Sequence, residues 1–166
     1  MKKLLFTAVI ALCGLGLTNA QDSFFGAGIN AALPMGDAGD LTTFGVGLEA
    51  TYMAPVGDSF MVGGNIGFMN YFGDEFDFPG GTIEVEDVQF LPVAASAMYA
   101  FGDGGFGLGA DLGYAVGIND GNEGGLMYEP KVVYNTESIM FSLGYQGISN
   151  DGDSFESVQL GAIYKF

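Results

Sequence analysis

The sequence predicts an all-β fold, in which eight antiparallel strands form an up-and-down β-barrel with a filled lumen. Three observations predict it. Apolar residues alternate with small or polar ones, clusters of turn-forming residues separate the alternating segments, and no segment shows an apolar stripe of helical period. Most segments are about 10 to 13 residues long, close to the roughly 9 to 11 residues with which a tilted strand crosses a bilayer. We therefore expect a transmembrane barrel.

The first 20 residues have the pattern of a cleaved secretory signal peptide, followed by a barrel domain at 21–166. A basic start and a mostly apolar stretch, 4–17, precede small residues. The apolar stretch is shorter than the roughly 18 residues of a spanning helix, which argues against a retained membrane anchor. A lipoprotein would use Cys13, but the bulky Leu12 stands where a small residue is needed. We expect cleavage after Ala20.

Beyond residue 20 the chain is strongly acidic. All 20 Asp and Glu residues lie there against two lysines, Lys131 and Lys165, and the sequence contains no His and no Arg. We expect no nucleic-acid partner, because phosphate neutralisation requires clustered Lys and Arg. A Ser–His nucleophile pair cannot be built without histidine. We predict no catalytic residue, no cofactor and no metal site, and we expect a protein that is not an enzyme.

Each predicted strand has one apolar face and one small or polar face. The first strand opposes Phe25 and Ile29 to glycines and Asn30, and the second opposes Leu48 to Glu49. The fifth strand, in the stretch FGLGADLGYAVGI, repeats the pattern with the most regular alternation. The eight strands are predicted at residues 24–33, 43–54, 60–71, 87–101, 106–118, 126–135, 138–149 and 156–166.

The charged residues inside the strands lie on the polar face, with Glu156 as the exception. A charge-free face that runs through eight strands must meet either lipid or a packed core. The core alternative is a secreted, soluble lipocalin-like barrel whose glycine-rich face meets water, although glycine weakens a solvated strand. In a narrow transmembrane barrel the same glycines make room for larger lumen residues. We expect those larger residues to include Met53, Met61, Met69 and Met127.

Three charged residues of the polar face are predicted to meet in the lumen. Asp111 and Glu129 fall on neighbouring strands, and Lys131 lies diagonal to Asp111 and two residues from Glu129. These three residues are called the lumen cluster below. Paired carboxylates can act in acid–base catalysis, but buried charges in a narrow lumen need partners. We therefore predict a structural role for the lumen cluster.

The connections between the strands alternate between short turns and longer loops, as in transmembrane barrels. Aromatic residues border every short turn, which predicts an aromatic girdle on the periplasmic side. The longer loops hold most of the acidic residues. The loop at 72–86 also contains Phe72, Phe76 and Phe78, either as recognition residues or as an outer girdle. Alternation from residue 82 to 88 predicts strands that project beyond the bilayer and could pair with partner strands.

Two ligand hypotheses follow from the acidic loops. The segment 150–156, NDGDSFE, repeats oxygen ligands at alternate positions, but its calcium-loop pattern is incomplete and a solvated acidic loop is the simpler interpretation. If the barrel spans an outer membrane, the second hypothesis is that the loops contact lipopolysaccharide. Because they hold almost no cations, we expect any contact with its phosphates to need divalent bridges.

The stretches FGAGINAAL, VQFLPVAASAMYAFG and QLGAIYKF, in this order and spacing, carry a family resemblance. The chain resembles the eight-stranded outer-membrane barrels of the OmpX and OmpA transmembrane-domain type, catalogued broadly as porin-family outer-membrane β-barrel domain proteins. The resemblance implies a Gram-negative outer membrane and an assembly machinery that recognises a final strand ending in an aromatic residue. Pro92, in mid-strand, predicts a β-bulge. The implied assembly signal consists of Leu160, Ala162, Tyr164 and Phe166.

We therefore expect a monomeric protein that is exported through the periplasm into the outer membrane and exposes its acidic loops at the cell surface. Its expected role is structural or surface-interactive, with lipid, the assembly machinery and an extracellular partner as the expected contacts. The alternative is a small porin-like or solute-binding barrel. The soluble lipocalin-like barrel is a further alternative.

Overall fold

The computed structural model describes residues 23–78, 81–102, 105–150 and 152–166. The predicted signal peptide lies outside these residues. Eight strands form a closed antiparallel barrel, in which the first strand pairs with the last and completes the ring. The barrel strands are β1 (Phe24–Met35), β2 (Thr42–Pro55), β3 (Phe60–Gly73), β6 (Val88–Ala100), β7 (Phe106–Gly117), β8 (Gly125–Asn135), β9 (Ile139–Asn150) and β10 (Asp153–Lys165).

Solvent exposure alternates along the barrel strands in the same way as the apolar and polar residues alternate in the sequence. The apolar face points outward, where Ile29, Leu48 and Leu160 are each at least 60% exposed. The glycine-rich and polar face points into the lumen, where glycine is needed because neighbouring atoms lie close. A Cβ atom at Gly113, for example, would contact the backbone of β6. A soluble barrel would bury the apolar face, so the soluble lipocalin-like alternative is wrong.

The lumen is filled by side chains in three layers. One end holds an apolar cluster that includes Met69, Tyr71 and Phe90, and the other end holds a cluster that includes Met53 and Met98. The charged and amide side chains of the mid-strand positions lie between these clusters, since they fall between them along each strand. The prediction of a filled lumen is confirmed. The four predicted lumen methionines, Met53, Met61, Met69 and Met127, all pack in these clusters.

The two ends of the barrel differ. At one end, the loop end, the connections contain a short helix, α1 (Asp37–Leu41), and a separate hairpin formed by β4 (Glu75–Phe78) and β5 (Gly81–Glu84). At the opposite end, the turn end, the strands are joined by the short connections 56–59, 101–105 and 136–138. No helix in the described ranges is long and apolar enough to cross a membrane.

Three details of the loop end differ from the sequence predictions. The first loop-end connection forms α1, in which the Thr42 hydroxyl donates to the Ala38 carbonyl oxygen at 2.7 Å. The connection expected at 150–155 is shorter, because β9 continues to residue 150 and β10 begins at 153. The predicted projecting strands form the separate hairpin β4–β5 instead of a continuation of β3 and β6.

The prediction of a β-bulge at Pro92 is wrong. The register between β3 and β6 is the same on both sides of Pro92, with Ile66 opposite Val93 and Met69 opposite Phe90. Proline lacks a backbone donor, so the ladder toward β3 is interrupted there without an inserted residue. The register between β2 and β3 shifts instead between Thr42 and Gly45, where β2 leaves α1.

Candidate functional site

The structure brings the three residues of the lumen cluster together. β7 and β8 pair so that Asp111 lies directly opposite Glu129. The Lys131 Nζ atom lies 2.5 Å from Asp111 Oδ2 and 3.8 Å from Glu129 Oε1. The Asp111 side chain is 1% exposed and that of Lys131 is 10% exposed. The predicted proximity is confirmed, and the structural role of the lumen cluster stays a prediction.

Residues from other strands complete this polar layer, and the sequence reasoning did not join them to it. Asn65 on β3 donates a hydrogen bond of 2.7 Å to Asp111 Oδ2. Glu49 on β2 belongs to the same layer and accepts a hydrogen bond of 3.1 Å from Asn30 Nδ2. Alternation placed Glu49 on the lumen face. Its nearness to Asp111 depends on closure of the ring, because β2 and β7 are not neighbours.

A small cavity of about 20 Å³ lies within this polar layer. Its lining includes the three carboxylates of Glu49, Asp111 and Glu129, together with amide side chains such as Asn30 and Asn65. Asp111 Oδ1 is buried and has no hydrogen-bond partner among the described residues. The layer therefore combines three carboxylates and one ammonium group with one unsatisfied acceptor.

An aromatic cluster closes the lumen on the loop-end side of the polar layer. Tyr71 is fully buried, and its ring packs edge-on against Phe155 at 4.6 Å and Phe90 at 6.1 Å between centroids. Its hydroxyl group lies 3.0 Å from Ser157 Oγ and accepts from Gln159 Nε2 at 3.3 Å. This packing places a layer of aromatic side chains between the polar layer and the loop end. The sequence reasoning did not identify these aromatic residues as lumen residues.

The loop end is an acidic surface. Its connections carry exposed carboxylates and no lysine or arginine, since the two lysines beyond residue 20 lie in the lumen and at the turn end. Within the described ranges, no group of three or more His, Cys, Asp or Glu side chains is arranged to hold a metal ion. The exposed acids are Asp37, Asp40, Glu75, Glu86, Asp87, Asp120, Glu123 and Asp153.

Hydrogen bonds hold the loop-end connections in place where they leave the barrel strands. Asp87 accepts from the Gly73 backbone at 3.1 Å and from Asn70 Nδ2 at 3.0 Å. Asn119 donates at 2.9 Å to the Asp87 carbonyl oxygen, which ties the second and third loop-end connections together. Phe72 stacks on the outward-facing Phe44 at 4.7 Å, as expected of a girdle residue. The roles of Phe76 and Phe78, both on β4, stay predictions.

Outward-facing aromatic residues surround the turn end. Phe106 packs on Tyr134 at 4.7 Å, and Phe25 lies 6.3 Å from Phe166 between ring centroids. The predicted assembly residues form one outward row, in which Leu160, Tyr164 and Phe166 are exposed and Ala162 is half-buried. Their placement agrees with the prediction, and their recognition by an assembly machinery stays a prediction.

Glu156, the charged exception on the outward face, has local partners. Tyr145 on the neighbouring strand forms a side-chain hydrogen bond with it, and Ser154 Oγ donates at 3.5 Å. The residue lies toward the loop end of β10, opposite Met35 and Gly147. A charge near the end of a spanning strand costs less than one at its middle.

These features define a class of protein. A closed barrel of eight antiparallel strands, apolar outside and filled with polar and aromatic side chains inside, has the architecture of small transmembrane β-barrels.

Solved structures with the same fold include outer-membrane proteins. The outer membrane protein Ail of Yersinia pestis, in a phospholipid bilayer nanodisc, matches with 17% sequence identity and a TM-score of 0.59. The match covers 87% of this chain and 100% of the Ail chain. Ail in complex with the heparin analogue sucrose octasulfate matches with 17% identity, 87% and 97% coverage and a TM-score of 0.57. The N-terminal β-barrel domain of Pseudomonas aeruginosa OprF matches with 14% identity, 88% and 98% coverage and a TM-score of 0.51.

No protein-family model matches the sequence, and no curated protein matches it. At identities this low, the similarity to solved structures shows the fold. The chain therefore has the fold of the eight-stranded outer-membrane β-barrel proteins, of the type that the sequence resembles.

Proposed function

We propose that this protein is an integral outer-membrane barrel of a Gram-negative cell envelope, with a structural or surface-interactive role. The observation that carries the proposal is the outward apolar surface, which extends over all eight barrel strands. Soluble monomers rarely expose contiguous apolar patches larger than a few hundred Å². Lipid would cover this surface, and the turn-end aromatic residues would lie at the headgroup level. Among its members are Ile29, Leu48, Val93, Leu112, Leu126, Leu143 and Leu160.

Membrane fractionation combined with gel mobility tests this proposal. The folded barrel is expected in the outer-membrane fraction and should migrate differently before and after heating, because detergent alone does not unfold a closed barrel. A chain that is found in the soluble periplasmic fraction, without a mobility shift, would contradict the proposal. Protease accessibility of the loop end in intact cells then tests the orientation.

The acidic loop end supports a role in surface interactions. With no lysine or arginine in its connections, direct binding of anionic groups is unfavourable, so contact with lipopolysaccharide phosphates would use divalent bridges. Ail is seen with a sulfated heparin analogue. For this chain we propose the opposite preference, for divalent cations or a basic extracellular partner.

Binding to lipopolysaccharide with and without a chelator tests the divalent bridges. Mg²⁺ is expected to support binding, and the chelator is expected to abolish it. A variant with Glu86→Gln and Asp120→Asn at the loop end should bind more weakly, whereas Glu137→Gln at the turn end should behave like the unmodified protein. Binding that ignores the chelator would exclude this mechanism.

The hairpin β4–β5 supports a second mode of surface interaction. It forms its own two-stranded sheet beyond the barrel. Two-stranded sheets can accept a further strand from a partner through backbone hydrogen bonds. Replacing residues 75–84 by a short glycine-containing turn should reduce adhesion to host surfaces or to other cells, while replacement of 37–41 serves as the control. Unchanged adhesion after removal of the hairpin would rule out this mode.

We further propose that the protein is not an enzyme and conducts little. The absence of histidine from the sequence removes the usual general base of barrel hydrolases. The packing of Tyr71, Phe90 and Phe155 across the lumen opposes the porin-like alternative. Planar-bilayer recordings should show no steady channel. A stable conductance step that a Tyr71 variant enlarges would instead favour the small porin.

A further inference from the structure

The cavity in the polar layer of the lumen has the size of one small particle. Its volume is about 20 Å³, and a cavity of roughly 10 to 15 Å³ is enough for one water molecule. Its lining is rich in oxygen atoms, from three carboxylates and several side-chain amides. Oxygen atoms of this kind are the ligands that hard cations prefer. Size and chemistry together admit either a water molecule or one small ion.

The charge of the lining distinguishes the two. The carboxylates of Glu49, Asp111 and Glu129 face a single ammonium group, that of Lys131. Three carboxylates therefore share one ammonium group in the interior of the barrel. Uncompensated carboxylates in such a region are costly, and they are neutralised either by taking up protons or by a bound cation. A water molecule alone does neither.

The hydrogen bonds of Asp111 indicate where the cation would bind. Its Oδ2 atom accepts from Lys131 and from Asn65, so this oxygen is satisfied. Its Oδ1 atom is buried and has no partner among the described residues, although the side chain lines the cavity. A buried carboxylate oxygen without a donor is expected to have a ligand.

We propose that this cavity is a binding site for one small monovalent cation, of the size of Na⁺. Asp111 Oδ1 is its charged ligand, amide oxygen atoms of the lining complete the shell, and Glu49 and Glu129 supply the surrounding negative charge. No group of three His, Cys, Asp or Glu side chains in the described ranges is arranged to hold a metal ion, so one carboxylate and neutral oxygen atoms would hold the cation, a set that favours a single positive charge. The cation would link β2, β7 and β8 across the lumen.

Thermal unfolding of the full barrel in detergent micelles tests the site. The melting temperature is compared in NaCl and in choline chloride at equal ionic strength, so that screening of the acidic surface is the same. Choline is too large for the cavity. We expect a melting temperature several degrees higher in NaCl, rising with Na⁺ concentration and then saturating, as a ligand that binds only the folded state requires. Equal melting temperatures in the two salts would overturn the proposal, and so would stabilisation by Ca²⁺ alone.

Two variants locate the effect. Asp111→Asn keeps the shape of the side chain and should abolish the difference between NaCl and choline chloride. Asp58→Asn, at an exposed turn-end position, is the matched control and should retain the full difference. If the Asp111 variant does not fold, Glu49→Gln should reduce the saturable Na⁺ effect, because it removes negative charge from the cavity. If Asp111→Asn folds and leaves the Na⁺ effect unchanged, the ion binds at another site and the proposal is overturned. The same holds for Glu49→Gln if that variant is used in its place.

A crystallographic experiment identifies the occupant directly. Crystals of the barrel grown in NaCl and in choline chloride are compared at atomic resolution. Density beside Asp111 Oδ1 that is present only in NaCl and is surrounded by oxygen atoms alone would support the proposal. Density that is the same in both salts, with hydrogen-bond donors among its neighbours, belongs to water and would overturn it.

Discussion

Replacing Lys131 with methionine removes the cation that Asp111 and Glu129 share and keeps the length of the side chain. The Lys131 Nζ atom lies 2.5 Å from Asp111 Oδ2 and 3.8 Å from Glu129 Oε1. Both carboxylates would stay in the lumen with their main electrostatic partner lost. Removing one partner of a buried ion pair costs more than the pair itself contributes, because it leaves an uncompensated charge.

The expected loss in the free energy of unfolding follows from burial and from the partners that remain. Breaking a buried ion pair costs about 3 to 5 kcal/mol. The Asp111 side chain is almost completely buried, but it retains its hydrogen bond from Asn65. Glu129 was paired at the longer distance and contributes less. We therefore expect about 3 kcal/mol, a large share of the roughly 5 to 15 kcal/mol that stabilises a typical domain.

Denaturant unfolding in micelles measures this loss. The chain contains no tryptophan, so circular dichroism and gel mobility before heating report folding. Lys165→Met is the matched control. Lys165 lies at the turn end, where its Nζ atom donates to the Thr136 carbonyl oxygen, and its loss should cost about 1 kcal/mol or less. All variants are compared in the same salt.

A double variant separates the charge effect from packing. Adding Asp111→Asn to Lys131→Met removes the stranded charge and should recover part of the stability, with a coupling energy above about 1 kcal/mol. Two results would refute the reasoning. The first is that Lys131→Met and the unmodified protein have the same free energy of unfolding within experimental error. The second is that the effects of the two substitutions are strictly additive.

Three further predictions concern the wall and the layers of the barrel. Gly113→Val should cost at least about 1 to 3 kcal/mol, because its side chain would collide with the backbone of β6, while Gly57→Ala, with no atom within 4 Å of the added carbon, should be neutral in the same denaturant titration. Leu160→Arg should cost about 2 to 4 kcal/mol in lipid vesicles if this strand position lies near the bilayer midplane, and equal stability would contradict a lipid-facing wall. Tyr71→Phe should cost about 1 to 3 kcal/mol, because Ser157 loses its buried hydroxyl partner, and an unchanged midpoint would show that the hydroxyl contributes nothing.

The barrel wall could be predicted from the sequence, because the features that specify it are local. Alternation along FGAGINAAL assigns Ile29 outward and Asn30 inward without reference to any other strand. Strand length and the alternation of turns and loops then give the number and direction of the strands. The same reasoning failed at Pro92, where the missing donor interrupts the ladder without changing the register. It also missed α1, whose five residues are too few for a helical period to appear.

The lumen cluster was predictable as far as neighbouring strands determine it. Asp111, Glu129 and Lys131 lie on adjacent strands, and one loop length sets their register. Glu49, Asn65 and the fully buried Tyr71 come from strands that are distant along the sheet. The stagger of each strand against the next around the ring determines which of these residues lie at the same height along the barrel axis.

The sequence by itself determined which side of each strand meets an apolar environment, because a period of two residues fixes the faces wherever a strand forms. Only the tertiary structure decided which inward residues meet across the lumen. Small offsets between neighbouring strands add up around a closed ring, so contacts such as that of Asn65 with Asp111 exist only once the barrel is closed. The same closure places three carboxylates around one cavity, next to the ammonium group that pairs with two of them.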